Sequence, residues 1–306
     1  MTPGPRRADL EENRRYALLR LGLGCNAACL FCNVPWEQGG FPLRMSTQEA
    51  KRAILGISSC AERLDLSGGE PTLRPDLEEL ISRARASGIK IVELQTNGIL
   101  LRRPRIKALR LAGLTHAFVG LHSQNPKLHD FLVRFPGAFK ACLEAVRGLL
   151  EEGLEVTLNP VVTALSFRLL PGYMEFAARA LPGLASVSLS VVQPHGRAWR
   201  NRFLLPRYGE LSPFVELALE KAGSLGLLVN NPYCGLPLCI GGWHRRLSSC
   251  VEYCEAELGR KEDAMKFHPQ ACSACFLRSR CGGVWRDYPA LHPLCDLRPV
   301  PREVRS

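Results

Sequence analysis

Short apolar runs rich in Val, Ile and Leu alternate with helix-patterned segments along the first 230 residues. The runs cover residues 17–23, 64–67, 89–95, 117–121, 156–161 and 187–192 and read as nearly continuous in apolarity, as strands buried on both faces do. Between them lie helical patterns. Ser46 is followed three residues later by Glu49, the signature of a capping box. Leu77, Leu80, Ile81 and Ala84 fall at helical spacing in 76–86, and further helices are predicted over 104–112, 139–152, 171–180 and 213–225. Gly88, Gly113, Gly153 and Gly183 fall near helix ends, where a left-handed residue closes the last turn. Six β-α units in series imply parallel strands joined by right-handed crossovers.

Directly after the first run, Cys25, Cys29 and Cys32 stand at C-x3-C-x2-C spacing. Three local thiolates can hold three irons of a [4Fe–4S] cube and leave one iron open to a small molecule, since such clusters take four ligands. A structural zinc site would want a fourth Cys or His close by, and none follows. After the second run the chain reads Ser67-Gly68-Gly69-Glu70-Pro71. Two glycines let the backbone approach a ligand closely, and Glu70 can accept hydrogen bonds from an amine.

Both motifs, in this order and each at the end of a predicted strand, resemble the radical S-adenosylmethionine (SAM) superfamily, including the aromatic Phe31 before the third cysteine. The resemblance implies an α/β fold, a partial (β/α)6 TIM-like barrel open on one side. Functional residues then sit at the C-terminal strand ends, where Cys25, Gly68, Thr96-Asn97-Gly98, His122-Ser123, Asn159 and Gln193 fall. It also implies a [4Fe–4S] cluster on Cys25, Cys29 and Cys32, and SAM held by Gly68, Gly69, Glu70 and Pro71. Phe31 would lie against adenine, while Asn97, Ser123 and Asn159 would serve as further contacts. His122 and His195 end strands and could line the pocket. Reductive SAM cleavage to a 5′-deoxyadenosyl radical, followed by hydrogen abstraction from a substrate, is the implied chemistry.

From about residue 231 the periodicity is lost, and eight of the thirteen cysteines follow. Cys272, Cys275 and Cys281 form a second C-x2-C-x5-C pattern followed by Gly282-Gly283. It resembles the auxiliary-cluster extensions called SPASM and twitch domains, except that Trp285 stands where the SPASM pattern has a further cysteine. One auxiliary [4Fe–4S] cluster is therefore expected on Cys272, Cys275, Cys281 and either Cys295, by analogy with SPASM, or Cys239, on a twitch-like reading. A second auxiliary cluster from Cys234, Cys239, Cys250 and Cys254, or a structural zinc, are the alternatives. A segment this short has little core of its own, so ligation would supply much of its folding energy.

Residues 1–15 read as a polar tail, 16–230 as the barrel and 231–306 as the cluster-binding extension. No secretory signal or membrane-length apolar run occurs; clustered cysteines in such a chain point to a cytoplasmic metalloprotein rather than a disulfide framework. The net charge of +11 is spread, with no block of five or six like charges, so nucleic acid is disfavoured and a solvated surface or a face for an acidic partner is favoured. Expected partners are a low-potential donor of flavodoxin or ferredoxin type and a ribosomally made peptide to be matured. About 15 residues precede the first strand, too few for a fused leader-binding domain, so a separate leader-binding protein, or none, is expected. The alternatives are an oxidoreductase or ligase acting on a small metabolite, and a non-catalytic electron carrier, against which the amine-binding loop argues.

Overall fold

The computed structural model describes residues 16–34, 43–256 and 264–302. The predicted tail, 1–15, lies outside the described residues. Seven strands form one parallel sheet in the order β1 (Tyr16–Arg20), β2 (Arg63–Ser67), β3 (Ile91–Thr96), β4 (His116–Val119), β5 (Glu155–Leu158), β7 (Ser186–Ser188) and β9 (Val229–Asn230). Two short strands, β6 (Val161–Val162) and β8 (Ser190–Val191), pair in parallel beyond the ends of β5 and β7. The strand order follows the chain order, so each strand is laid beside the last by a helical crossover. β1 and β9 are the two edges, and the expected partial barrel is present.

The helices form because apolar positions recur at helical spacing and the ends are capped. α1 (Thr47–Ser58) starts with the capping box of Ser46 and Glu49, and buries Ala50 and Ile54. α2 (Leu77–Ala86) buries Leu77, Leu80, Ile81 and Ala84, and α3 (Arg103–Ala112) ends on Gly113 at φ 108°. α4 (Pro126–Val133), α5 (Ala138–Glu151), α6 (Leu170–Ala180), the single turn α7 (Arg197–Arg200) and α8 (Tyr208–Ser224) complete the barrel layer. α4 was not foreseen, and the helix expected from Pro213 begins five residues earlier, with Pro213 inside it.

The strands are not buried on both faces by apolar side chains. They alternate. Leu19, Leu66, Leu94, Ala117 and Val156 are cross-strand partners in one row, and all are buried against the helices. The opposite face, which lines the lumen, carries Leu18, Asp65, Glu93, His116 and Glu155 in one row. The next row carries Arg20, Ser67, Gln95, Phe118, Thr157 and Ser186. Ser67 donates to Gln95 at 2.7 Å, and the hydroxyls of Thr157 and Ser186 are 3.0 Å apart. A closed barrel of this class fills its interior with branched apolar residues; this lumen carries polar and charged residues instead, with Asp65, Glu93 and Ser186 buried.

After β9 the chain forms short turns, α9 (Val251–Ala256) and a two-stranded antiparallel ribbon of β10 (Lys266–Phe267) and β11 (Val284–Trp285). Its apolar residues Leu236, Leu238, Trp243, Leu277, Val284, Tyr288 and Leu297 belong to the same buried cluster as the barrel helices. Tyr208 of α8 stacks on Tyr288 with ring centroids 3.9 Å apart, and Arg207 pairs with Asp296 at 2.8 Å. The extension thus borrows a core from α8, and ligation is not its sole support.

In the lumen floor Arg63 bridges Asp65 at 2.8 Å and Glu93 at 2.9 Å. Burial pushes the Glu93 carboxyl up to about 7, against the opposing pull of Arg63. An unfolded Glu titrates near ~4.3, so the folded state holds this proton more tightly, and the associated stability is full below ~4.3 and lost as pH rises through the folded value. Glu93→Gln mimics the protonated form. Its melting temperature should gain on that of the parent protein as pH is raised from about 5 to about 8; a constant difference across that range would refute the assignment.

Candidate active site

The loop after β1 carries Cys25, Cys29 and Cys32 across the C-terminal end of the sheet. Backbone bonds from three directions fix it. Ala28 N donates to Val133 O at 3.1 Å and Leu30 N to Leu132 O at 2.9 Å, tying it to the end of α4. Arg197 N donates to Cys32 O at 2.9 Å, and Asn201 Nδ2 to Leu30 O at 3.0 Å. Arg74, buried beneath, donates to Leu21 O at 3.2 Å. Neither Arg74 nor Asn201 was singled out from the sequence; each lies far along the chain from the cysteines, and no local pattern marks it.

Burial pushes the Cys29 thiol up to about 12 and raises Cys25, and the neighbouring sulfurs add to both shifts. The amide of Ala27, 3.4 Å from Cys25 Sγ, and the Arg197 guanidinium oppose this. Binding a cationic core as thiolates would therefore release protons from Cys25 and Cys29. Among the described residues no three His, Cys, Asp or Glu side chains converge closely enough to share one metal ion.

The Gly-Gly-Glu loop follows β2. Gly68 has φ +140°, and a Cβ on it would lie 2.2 Å from Gly22 O; one on Gly69 would lie 2.2 Å from Gly24 O and 2.4 Å from Leu23 O. The glycines are thus required by the cysteine loop itself. Gly69 N donates to Gly22 O at 2.9 Å and Glu70 N to Gly24 O at 2.8 Å. Glu70 is buried and occupied from within the protein. Its Oε1 accepts from Thr72 N, Thr72 Oγ1 and Thr96 Oγ1 at 3.0, 2.6 and 2.7 Å, and its Oε2 from Asn97 N at 2.8 Å. Burial raises its pKa while these donors lower it. The expected amine acceptor is therefore first of all a pin between the ends of β2 and β3. Pro71 opens the single 3-10 turn that Glu70 caps.

Asn97 extends the pin towards the sulfurs. Its Nδ2 donates to Asn26 Oδ1 at 2.8 Å and lies 3.9 Å from Cys25 Sγ. Asn159 Oδ1 accepts from Ser190 Oγ at 2.6 Å, and Ser190 in turn lies 3.0 Å from Cys234 Sγ. Ser123 is buried and its Oγ accepts from Asn125 N at 3.1 Å, inside the turn that starts α4. Phe31 meets the buried His122 ring edge-on at 4.7 Å. His122 accepts from Val161 N through Nδ1 at 3.2 Å, and burial with His129 stacked on it lowers its pKa well below the usual range, so it is neutral. His195 packs edge-on against Trp285 at 5.4 Å, joining the barrel mouth to the extension.

In the extension, Cys239, Cys272, Cys275 and Cys281 line one cavity of about 400 Å³, counting the space that opens to solvent. Cys295, favoured above by analogy, is exposed and outside that lining, 3.7 Å from Arg207 Nη2. Its neighbour Asp296 is held by Arg207 and turns this segment towards α8. Cys250 is buried near the carbonyls of Trp243 and Arg246, and Cys254 near those of Leu247 and Ser248. Cys142 is buried in α5 as expected, and Cys60 is exposed. Trp285 has Lys266 Nζ 4.6 Å from its ring centroid, and Lys266 is buried in an ion pair with Glu252.

Residues 19–164 match the radical SAM superfamily. The chain is 32% identical over 238 residues to the PqqA peptide cyclase of Rhodopseudomonas palustris, covering 75% of this chain and 62% of that protein. It is 34% identical over 247 residues to a probable GTP 3',8-cyclase of Sulfolobus acidocaldarius, covering 76% of each. Among solved structures, Streptococcus suis SuiB bound to S-adenosylmethionine superposes with a TM-score of 0.58 at 15% identity, covering 70% of this chain and 49% of that one. The fold, the cysteine loop and these relatives agree: the chain belongs to the radical SAM superfamily. Membership brings that family's cofactors, a [4Fe–4S] cluster and SAM. The chain spans 62% and 60% of the first two PqqA peptide cyclases that it matches.

The contact between the two loops leaves no room for a side chain. Gly69→Ala should therefore lower stability by about 3 kcal/mol, at the upper end of overpacking costs. Gly56→Ala, where an added Cβ meets nothing within 4 Å in α1, should raise it by about 0.5–1 kcal/mol. Chemical denaturation of the two variants checks the pair; equal shifts would remove the steric argument.

Proposed function

We propose that this chain is a radical SAM enzyme that matures a peptide. Cys25, Cys29 and Cys32 would hold the SAM-binding cluster. When bound, the cluster and SAM supply a 5′-deoxyadenosyl radical by one-electron reductive cleavage. The protein's own part is positional. Gly68, Gly69 and the Glu70 pin set the height of the cysteine loop over the sheet, and Asn97 and Asn26 brace Cys25. Phe31, Asn159 and Ser123 would complete the SAM site. The observation that carries the radical SAM reading is the convergence of the three-cysteine loop and the Gly-Gly-Glu loop in direct backbone contact.

A peptide substrate is favoured by the similarity to PqqA peptide cyclases and by the room at the edge of the lumen. Tyr16 and Leu18 of β1 are 40% and 43% exposed there, so a long substrate can enter from the side. A nucleotide or another small metabolite is the second reading, because the probable GTP 3',8-cyclase is matched over three quarters of its length. The barrel of residues 16–230 and the extension of 231–306 act as a unit in either case. One auxiliary cluster would sit on Cys239, Cys272, Cys275 and Cys281, the four cysteines that share a cavity, and Cys295 is left out of it. A low-potential flavodoxin or ferredoxin would supply the electron.

Reconstituted protein should carry about eight irons per chain, as two cubes. Replacing Cys25, Cys29 and Cys32 by Ala should halve the iron and abolish 5′-deoxyadenosine formation. Cys239→Ala should deplete the second cube, whereas Cys295→Ala should keep both. Iron near four with one zinc would select a structural zinc in the extension. Adding a candidate precursor peptide should change that peptide's mass with 5′-deoxyadenosine formed; turnover of GTP alone would favour the second reading.

A further inference from the structure

Residues 193–209, between the last barrel strands and α8, contain Arg197, Arg200, Arg202 and Arg207 and no Asp or Glu. The segment has an inner and an outer side. Inward, Ala198, Leu204 and Leu205 are buried with Leu30 and Phe31 of the cysteine loop. The backbone fits closely: Gly196 has φ +60°, and a Cβ on it would lie 2.6 Å from Cys32 O. The next amide, Arg197 N, donates to that same carbonyl at 2.9 Å. Outward, Arg200 and Arg202 are exposed, and Phe203 is 56% exposed. The Arg202 guanidinium lies 4.4 Å from the Trp199 ring centroid. Arg207 is held by Asp296 and belongs to the α8 contact instead.

We propose that Trp199, Arg200, Arg202 and Phe203 form the docking surface for a small acidic one-electron carrier protein that reduces the cluster of Cys25, Cys29 and Cys32. The inference rests on the cluster reading above. Charge complementarity selects the partner: a short cationic strip steers an acidic protein to itself. Arg is weakly hydrated for a cation, and with flanking aromatic rings it supports a small, transient interface. Position selects the job, because the strip begins two residues after Arg197, whose amide bonds the carbonyl of Cys32, and electron tunnelling falls off steeply with distance. A nucleic acid would ask for a longer cationic stripe to neutralise many phosphates. A rival strip exists beside the extension's cavity, where Arg278, Arg280, Arg298 and Arg302 are exposed around Phe276, 56% exposed.

The test separates docking from chemistry by changing the reductant on the reconstituted holoenzyme. Dithionite is small and needs no docking surface; reduced flavodoxin does. In the double variant Arg200→Glu/Arg202→Glu, dithionite-driven formation of 5′-deoxyadenosine should stay within about twofold of the parent. The bimolecular rate with reduced flavodoxin should fall at least about tenfold, and its salt dependence should flatten. Arg202→Glu/Phe203→Ser, which spares Arg200, should show the same split. Binding of flavodoxin to the immobilised holoenzyme should weaken in both, while Arg280→Glu/Arg302→Glu, on the rival strip and outside the cavity lining, should bind and turn over as the parent does. Equal loss with both reductants, an unchanged flavodoxin rate, or loss only in the Arg280/Arg302 variant would overturn the proposal. So would parent protein that binds single-stranded RNA or anionic vesicles at this strip and not flavodoxin. Parent protein that makes no 5′-deoxyadenosine with dithionite sinks the cluster reading itself, and the binding comparison still decides the surface.

Discussion

The backbone of residues 22–24 lies against that of residues 68–70 with no side chain between them. Gly69 N and Glu70 N bond to Gly22 O and Gly24 O, and any Cβ on Gly68 or Gly69 would strike that backbone. This contact continues the pairing of β1 with β2 past the end of the sheet and so sets where the cysteine loop begins. From there the bonding runs on without a break. Glu70 ties the two threonines to Asn97, and Asn97 reaches Asn26 and the Cys25 sulfur. A buried carboxylate is tolerated because four donors meet it. Cys25 is thereby held by β2 and β3, while the stretch from Ala28 to Cys32 is held by the end of α4 and by Arg197 and Asn201.

A large part of this was readable in the residues. Each of the six anticipated strands overlaps a strand of the structure, the capping box of Ser46 is formed, and both motifs sit at strand ends. What escaped has identifiable causes. The parity of the strands was hidden because Leu and Val occupy the helix-facing positions so densely that Asp65, Glu93 and Gln95 look like interruptions, although they recur every second residue. β9 is two residues long and has no local signature; only its parallel pairing with β7 reveals it. The runs at 156–161 and 187–192 each divide into two strands, since the chain turns to a second sheet beyond Leu158 and Ser188. The glycine pair was assigned to ligand approach, yet a nearer reason, a neighbouring main chain, is invisible in one dimension. Spacing also identifies Cys272, Cys275 and Cys281 as neighbours but cannot say which distant cysteine returns to them; the cavity brings in Cys239.

The extension is joined to the barrel at several kinds of contact. Aromatic stacking of Tyr208 on Tyr288, with Tyr208 N donating to Tyr288 Oη at 2.8 Å, fixes the start of α8. Trp285 against His195 fixes the barrel mouth. Trp285 fills, together with the buried Lys266–Glu252 pair, the region where the SPASM pattern has a further cysteine. Glu252 also accepts from Gly282 N at 3.1 Å, next to Cys281. The same packed side chains therefore link the extension's cysteine segment to the barrel mouth.

The alternating strands have a chemical consequence. A carbon-centred radical abstracts hydrogen readily from weak C–H bonds and hardly at all from water or hydroxyl groups, whose O–H bonds are stronger than the C–H bond it would gain. Leu19, Leu66, Leu94 and Val156, rich in vulnerable tertiary hydrogens, lie behind the sheet, screened by the backbone, while Leu18 on the edge strand is the exception that faces the lumen. The lumen rows instead present the hydroxyl and amide hydrogens of Ser67, Gln95, Thr157 and Ser186. The pleat of the sheet thus doubles as a screen that turns most of the strands' own tertiary C–H bonds away from a radical.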